Sequence, residues 1–206
     1  MSEIRFHKND LPGLLHYDVG AVAIDTETLG LNPHRDRLCV VQISPGDGSA
    51  DVIQIAPGQK KAPNLVGLLR NRSITKLFHF GRFDLAVLYN AFGVMPEPVF
   101  CTKIASRLTR TYTDRHGLKD ICFELLGVSL SKAQQSSDWA AETLSPEQLE
   151  YAASDVLYLH QLRDVLTARL ARDNRSKEAD ACFRFLPTRA KLDLMGWDDA
   201  DIFAHS

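Results

Sequence analysis

Residues 21–55 read AVAIDTETLGLNPHRDRLCVVQISPGDGSADVIQI, and the reading of the fold begins there. Residues 21–25 (AVAID) form a short apolar run that ends in an acid, the pattern of a buried strand. Residues 37–44 (RLCVVQIS) and 50–55 (ADVIQI) are two further strands. Between them lies Pro45-Gly46-Asp47-Gly48, a strong turn signal, so these two pair as a hairpin.

Working outward, residues 64–71 suit a short helix and 76–80 (KLFHF) another strand. Residues 82–92 (RFDLAVLYNAF) and 117–126 (GLKDICFELL) have helical apolar spacing and stop at Gly93 and Gly127. A polar stretch from Ser131 to Asp138 leads to Trp139. Ser145-Pro146-Glu147-Gln148 is a helix start, with Ser as N-cap, Pro in the first position and Gln completing a capping box. That helical pattern runs to about Arg172, with a bend. The tail from Asp173 holds another helix and ends in the acidic, aromatic segment GWDDADIF. Early strands with a hairpin, then alternating helices and strands, imply an α/β chain with a mixed sheet between helices.

With 206 residues the chain can bury one sizeable core. We read it as a single domain, residues 1–206, with a catalytic core at about 20–172 and a helical tail at 173–206. No apolar run approaches the roughly 20 residues that cross a bilayer. The charged N-terminal stretch MSEIRFHKND does not suit a signal peptide, so no membrane and a cytoplasmic location are expected. The four cysteines are far apart without a C-x-x-C pair, which favours reduced core thiols over zinc or disulfides. The net charge of −2 gives no general attraction for a long polyanion. A nucleic-acid partner must be short or held locally, for which Arg107, Arg110, Arg115, His116 and Lys119 are candidates beside a plain solvated-surface reading.

The chemistry sits in carboxylates. Asp25 ends the first strand and Glu27 follows two residues later, on the same side of an extended chain. Two such acids repel unless a cation neutralises them, and hard oxygen donors suit Mg²⁺ or Mn²⁺. Asp84 lies in the first turn of its helix, where an acid also serves the helix dipole. Tyr151 and Asp155, four apart, share a helix face. Taken singly, each of these is more often structural than catalytic.

Together, Asp25-Thr26-Glu27, His79-Phe80-Gly81-Arg82-Phe83-Asp84 and Tyr151-Ala152-Ala153-Ser154-Asp155 follow a known order. The chain resembles the DEDD superfamily of DnaQ-like 3′→5′ exonucleases, in the branch with a tyrosine before the last aspartate. Residues 134–155 are similar to the last motif region of ribonuclease D. The segments DTETLGL and YTDRHGLK look most like the nanoRNase C family. The likeness covers roughly residues 20–165 and implies a ribonuclease-H-like fold, a mixed five-stranded sheet with helices on both sides.

It also implies an enzyme that shortens very short RNA from the 3′ end to mononucleotides by two-metal hydrolysis. One Mg²⁺ or Mn²⁺ would lie among Asp25, Glu27 and Asp155, and the second on Asp25 with Asp84 nearby. Tyr151 would position the attacking water. Leu31 would wedge against a base, and His79 and Arg82 would touch the phosphate. By the same likeness the chain would form a homo-oligomer, an octamer. The rival readings are ribonuclease D-like trimming of tRNA or structured RNA, a DNA exonuclease, and a non-catalytic binding module.

Overall fold

A computed structural model describes residues 3–131 and 133–205; Lys132, inside the polar stretch of the sequence reading, and residues 1, 2 and 206 lie outside it. The hairpin is β3 (Leu38–Ser44) and β4 (Ser49–Gln54), antiparallel across the Pro45–Gly48 turn. The run that ends in Asp25 is β2 (Ala21–Thr28), antiparallel to β3 with a register shift at Glu27/Thr28. On its other side β2 pairs in parallel with β5 (Thr75–Phe78), and β5 with β6 (Val99–Cys101).

The sheet has six strands rather than the five expected. The added strand is β1 (Glu3–Lys8), which lies parallel to β4 at the edge and gives the order β1-β4-β3-β2-β5-β6. It is short and has only two apolar residues, Ile4 and Phe6, among charged ones, which hid it in the sequence. What holds it is Arg5, whose Nε and Nη2 donate to both oxygens of Asp51 on β4 at 2.8 and 2.9 Å. His7 and the Tyr17 hydroxyl bond the same carboxylate.

Alternation sends Val40, Val52, Asp25 and Glu27 to one face of the sheet. Helix α5 (Pro146–Leu157) covers that face, and its Ala152 packs in a cluster with Cys39, Val40, Val52, Trp139 and Leu144. The expected capping box is present: the Ser145 hydroxyl accepts from Gln148 N at 3.2 Å, and Gln148 Oε1 accepts from Ser145 N at 2.8 Å. The helical run breaks at Tyr158 and continues as α6 (Leu159–Arg172).

The opposite face is covered by α1 (Pro63–Arg70) and α2 (Arg82–Phe92), with Leu65, Leu68, Leu69, Leu85 and Leu88 buried in the main core. Each such leucine contributes about 1.5–3 kcal/mol relative to an exposed one. Gly93 ends α2 at φ 65, a left-handed position that favours glycine. Two helices complete this end of the chain, α3 (Thr102–Thr109) and α4 (Leu118–Leu126). The tail is α7 (Ser176–Leu192), which packs on α2 and β6 and is followed by a wide turn at Asp193–Trp197. No helix among the described residues is long and apolar enough to cross a membrane.

Candidate active site

The second half of β2 forms the floor of a cleft of about 350 Å³. Asp25 and Glu27 face it from the strand, and Tyr151 and Asp155 from α5. One carboxylate oxygen from each of Asp25, Glu27 and Asp155 can lie within 4.8 Å of the other two. Asp84 enters from α2 and is not part of that triangle. It is only 4% exposed and accepts a hydrogen bond from the Thr26 hydroxyl at 2.6 Å. Thr26 alternates with Asp25 and Glu27, so it points to the face of the sheet where α2 lies.

Burial raises all four carboxyl groups above their ordinary range. For Asp25 the neighbouring charges of Asp84, Asp155 and Glu27 add to that rise. Glu27 is pushed to about 9 by burial and then by Asp155 and Asp84. Asp84 and Asp155 each reach about 7, burial outweighing the hydrogen bonds from Thr26 and Tyr151 respectively. Among the described residues no lysine, arginine or histidine forms an ion pair with any of the four. Four crowded acids without a protein cation are unfavourable as anions, and the donor set is all oxygen. That chemistry fits hard divalent cations such as Mg²⁺ or Mn²⁺. Tyr151 is raised too, first by burial and then by Asp155. It stays a phenol at neutral pH and can donate or accept a hydrogen bond.

Leu31 is 88% exposed and lines the cleft. Its loop is tight: Asn32 N donates to Asp36 Oδ2 at 3.0 Å, and a Cβ at Gly30 would lie 2.4 Å from that same oxygen. His79 lies in the cleft wall with Nδ1 2.9 Å from the Thr102 hydroxyl. Burial, then Lys103, lowers it to about 3, so its ring is neutral. Arg82 is not brought to the cleft. Its guanidinium lies against Asp193, with Nε and Nη2 2.5 and 2.8 Å from the carboxylate.

The basic cluster divides. Arg110 is 1% exposed and bonds Glu124 and the Arg115 carbonyl, and Arg115 pairs with Asp120. Lys119 does line the cleft, and so does Lys103, which the sequence reading did not single out. Lys103 stands in the first turn of α3, with Nζ 4.3 Å from the centre of the Phe80 ring. No motif marked it, since α3 itself was not recognised. Three of the four cysteines, Cys39, Cys101 and Cys122, are buried and free; Cys182 is exposed.

The comparisons with known proteins agree with this geometry. The sequence profile of the 3′-5′ exonuclease family matches residues 13–171. Ribonuclease D of Acidiphilium cryptum is 36% identical over 154 residues, which are 75% of this chain and 39% of that protein. The chain thus spans about two fifths of the length of the curated relatives it matches. The structure of Brucella melitensis NrnC with bound Mg²⁺ superimposes with a TM-score of 0.96, at 77% identity over 99% of this chain and 100% of the other. Brucella melitensis NrnC bound to pGG gives a TM-score of 0.98 at 78% identity, with both chains fully covered. Escherichia coli RNase D is 30% identical, with a TM-score of 0.74 over 84% of this chain and 45% of that one. The three-acid cluster on β2 and α5, the neighbouring Asp84 and these matches together place the chain in the DnaQ-like 3′-5′ exonuclease family, to which it belongs.

Proposed function

We propose that this chain is a metal-dependent exoribonuclease that degrades short oligoribonucleotides, down to dinucleotides, to mononucleotides. The observation that carries this is a carboxylate cluster with which no described lysine, arginine or histidine forms an ion pair, at the floor of a small cleft with the exposed Leu31 at its rim. The relative that was solved with pGG bound supports a substrate of two nucleotides.

In this reading Asp25, Glu27 and Asp155 hold one divalent cation, and Asp25 and Asp84 share a second. Bound divalent cations lower the pKa of an attacking water and stabilise charge on both sides of an in-line displacement. Tyr151 orients that water through its hydroxyl, a role that suits a group which keeps its proton. Leu31 packs against a base, and the neutral His79 ring gives a hydrogen bond to the substrate. Lys103 and Lys119 supply the local positive charge that the molecule as a whole lacks. Arg82 is left out of this reading, since Asp193 engages it away from the cleft.

The tail leaves Met195, Trp197, Ile202 and Phe203 between 42% and 75% exposed. That apolar surface, with the likeness to nanoRNase C, supports a homo-oligomer, an octamer. The free buried thiols suit a reducing, cytoplasmic setting.

The test is digestion of end-labelled RNA and DNA from two nucleotides upward with Mg²⁺ or Mn²⁺. The expected result is complete conversion of dinucleotides, with a higher kcat/KM for them than for a long single strand. A marked preference for long RNA would instead favour ribonuclease D-like trimming.

A further inference from the structure

Arg82 occupies the first position of α2, where a cation meets the positive end of the helix dipole. No side chain caps the start of this helix. Just before it, Phe80 is held at φ 67, a conformation that a bulky residue adopts only where its surroundings impose it. Local sequence preference therefore does not account for where α2 begins, and an outside contact must hold it there.

That contact is Asp193, the residue after α7. Its carboxylate accepts from Arg82 Nε at 2.5 Å and from Arg82 Nη2 at 2.8 Å. Arg189 Nη2 stands 2.7 Å from the same carboxylate, whose side chain is 8% exposed. Arg82 Nη2 also donates to the Asp198 carbonyl at 2.6 Å. A planar guanidinium held at two edges is fixed in direction as well as distance.

Helix α2 carries Asp84 two residues beyond Arg82. Near its other end, Asn90 Nδ2 donates to the Pro33 carbonyl at 2.8 Å. Pro33 belongs to the loop that presents Leu31, and His34 of that loop lies 3.4 Å from the Asp193 carbonyl. One helix thus links Asp84 to the Leu31 loop, and the helix is fastened to the tail at Asp193.

We propose that Asp193 is a positioning residue: through Arg82 it fixes α2, and with it the place of Asp84 beside Asp25 and the set of the Leu31 loop over the cleft. It touches neither the metal ligands nor the cleft. The inference rests on the reading of Asp84 as a metal ligand, and it gives the tail a part in hydrolysis that is separate from assembly.

The test is calorimetric titration of Mn²⁺ into the full-length protein, with kcat and KM for a dinucleotide measured alongside. Asp193→Asn and Arg82→Gln should each weaken Mn²⁺ binding about tenfold, the size seen when a residue supporting a metal ligand is lost. Because the two act through one contact, the double variant should bind no more weakly than either single one. Arg82→Lys, which keeps one charged bond, should recover part of the loss. Unchanged Mn²⁺ affinity in Asp193→Asn, or losses that add in the double variant, would overturn the proposal. Should Asp193→Asn lose its helical circular dichroism, the Arg82→Gln and Arg82→Lys pair decides by the same criterion. Asp84→Asn serves as the control. Wild-type titration there removes Asp84 as a ligand, and with it the reading on which this inference rests. Lost binding in Asp84→Asn with normal binding in Asp193→Asn overturns the positioning role alone.

Discussion

Two regions of this molecule bury aspartates on the same sheet and treat them in opposite ways. At the β1–β4 edge, burial pushes the Asp51 carboxyl up, but hydrogen bonds from Arg5, Tyr17 and His7 outweigh it and hold it at about 2. At the end of β2, burial pushes Asp25, Glu27, Asp84 and Asp155 up, and the charges around them push the same way or offset little. The first region is complete with protein groups alone and fastens an edge strand. In the second, no described lysine, arginine or histidine forms an ion pair with the acids. The difference lies in the partners, since residue type and burial are shared, and it separates a structural acid from one available to chemistry.

The sharpest way to break this comparison is to remove one acid from each region. Asp25→Ala should lower kcat by about a thousandfold or more, the scale of losing a group that stabilises charge in the transition state. The fold should survive, because the change relieves repulsion in the metal-free protein. An active Asp25→Ala protein in saturating Mg²⁺ would remove the site assignment. Asp51→Asn should do the reverse. It leaves Arg5 part-buried with no full counter-charge and should cost about 3 kcal/mol of stability, read in a denaturant melt, while kcat per folded molecule stays at the wild-type value.

Tyr151→Phe sharpens the second region. It removes one hydroxyl from the cleft and keeps the ring, whose centre lies 6.0 Å from that of Trp139. Turnover should fall roughly tenfold to a hundredfold with KM little changed, as for an interaction made mainly in the transition state. A rise in KM without loss of kcat would make Tyr151 a substrate-holding group instead.

The two regions should also respond to pH with opposite sign. Asp51 titrates below its ordinary 3.8, so its contribution to stability is present above about pH 4 and is lost as pH falls through about 2. Asp84 and Asp155 titrate near 7 and Glu27 near 9. Between their ordinary values and those, the native state keeps protons that the unfolded chain has shed. Stability of the metal-free protein should therefore fall as pH rises from about 4 toward 9. Saturating Mg²⁺ should flatten that fall and release protons on binding. Melting curves from pH 3 to 9, with and without Mg²⁺, check both signs; a metal-free protein that gains stability from pH 5 to 8 would contradict the second.

The smallest effect belongs to Leu31. Its side chain is exposed, so Leu31→Ala should leave the melting temperature within about a degree, as for most surface changes. KM for a dinucleotide should rise a few-fold by loss of about one apolar contact. An unchanged KM would remove the base-stacking role.

Much of this is legible in the sequence. The hairpin, the Ser145 capping box and the stop of α2 at Gly93 follow from turn residues, caps and apolar spacing within a few residues of one another. The order Asp25, Glu27, Asp84, Tyr151, Asp155 is equally local in form, and it led to the family. β1 and β6 were missed for a shared reason. Both are edge strands, six and three residues long, whose membership of the sheet is set by partners far away in sequence. The bend expected in the long helical run falls at Tyr158, where no glycine or proline marks its position. The place of Arg82 was not legible because its neighbours in sequence, His79 and Asp84, belong to the site while its own partner lies 111 residues further on.

By itself, the sequence determined the kind of chemistry this protein carries, since the identity and order of five side chains and the periodicity of the elements that bear them are local properties. Only the tertiary structure decided which charges are free to act. Asp51 and the cleft acids look alike along the chain, and Arg82, Arg110 and Lys119 look alike as cations. Whether a buried charge is neutralised depends on what lies within a few ångströms of it, and that is fixed only when distant segments are packed together.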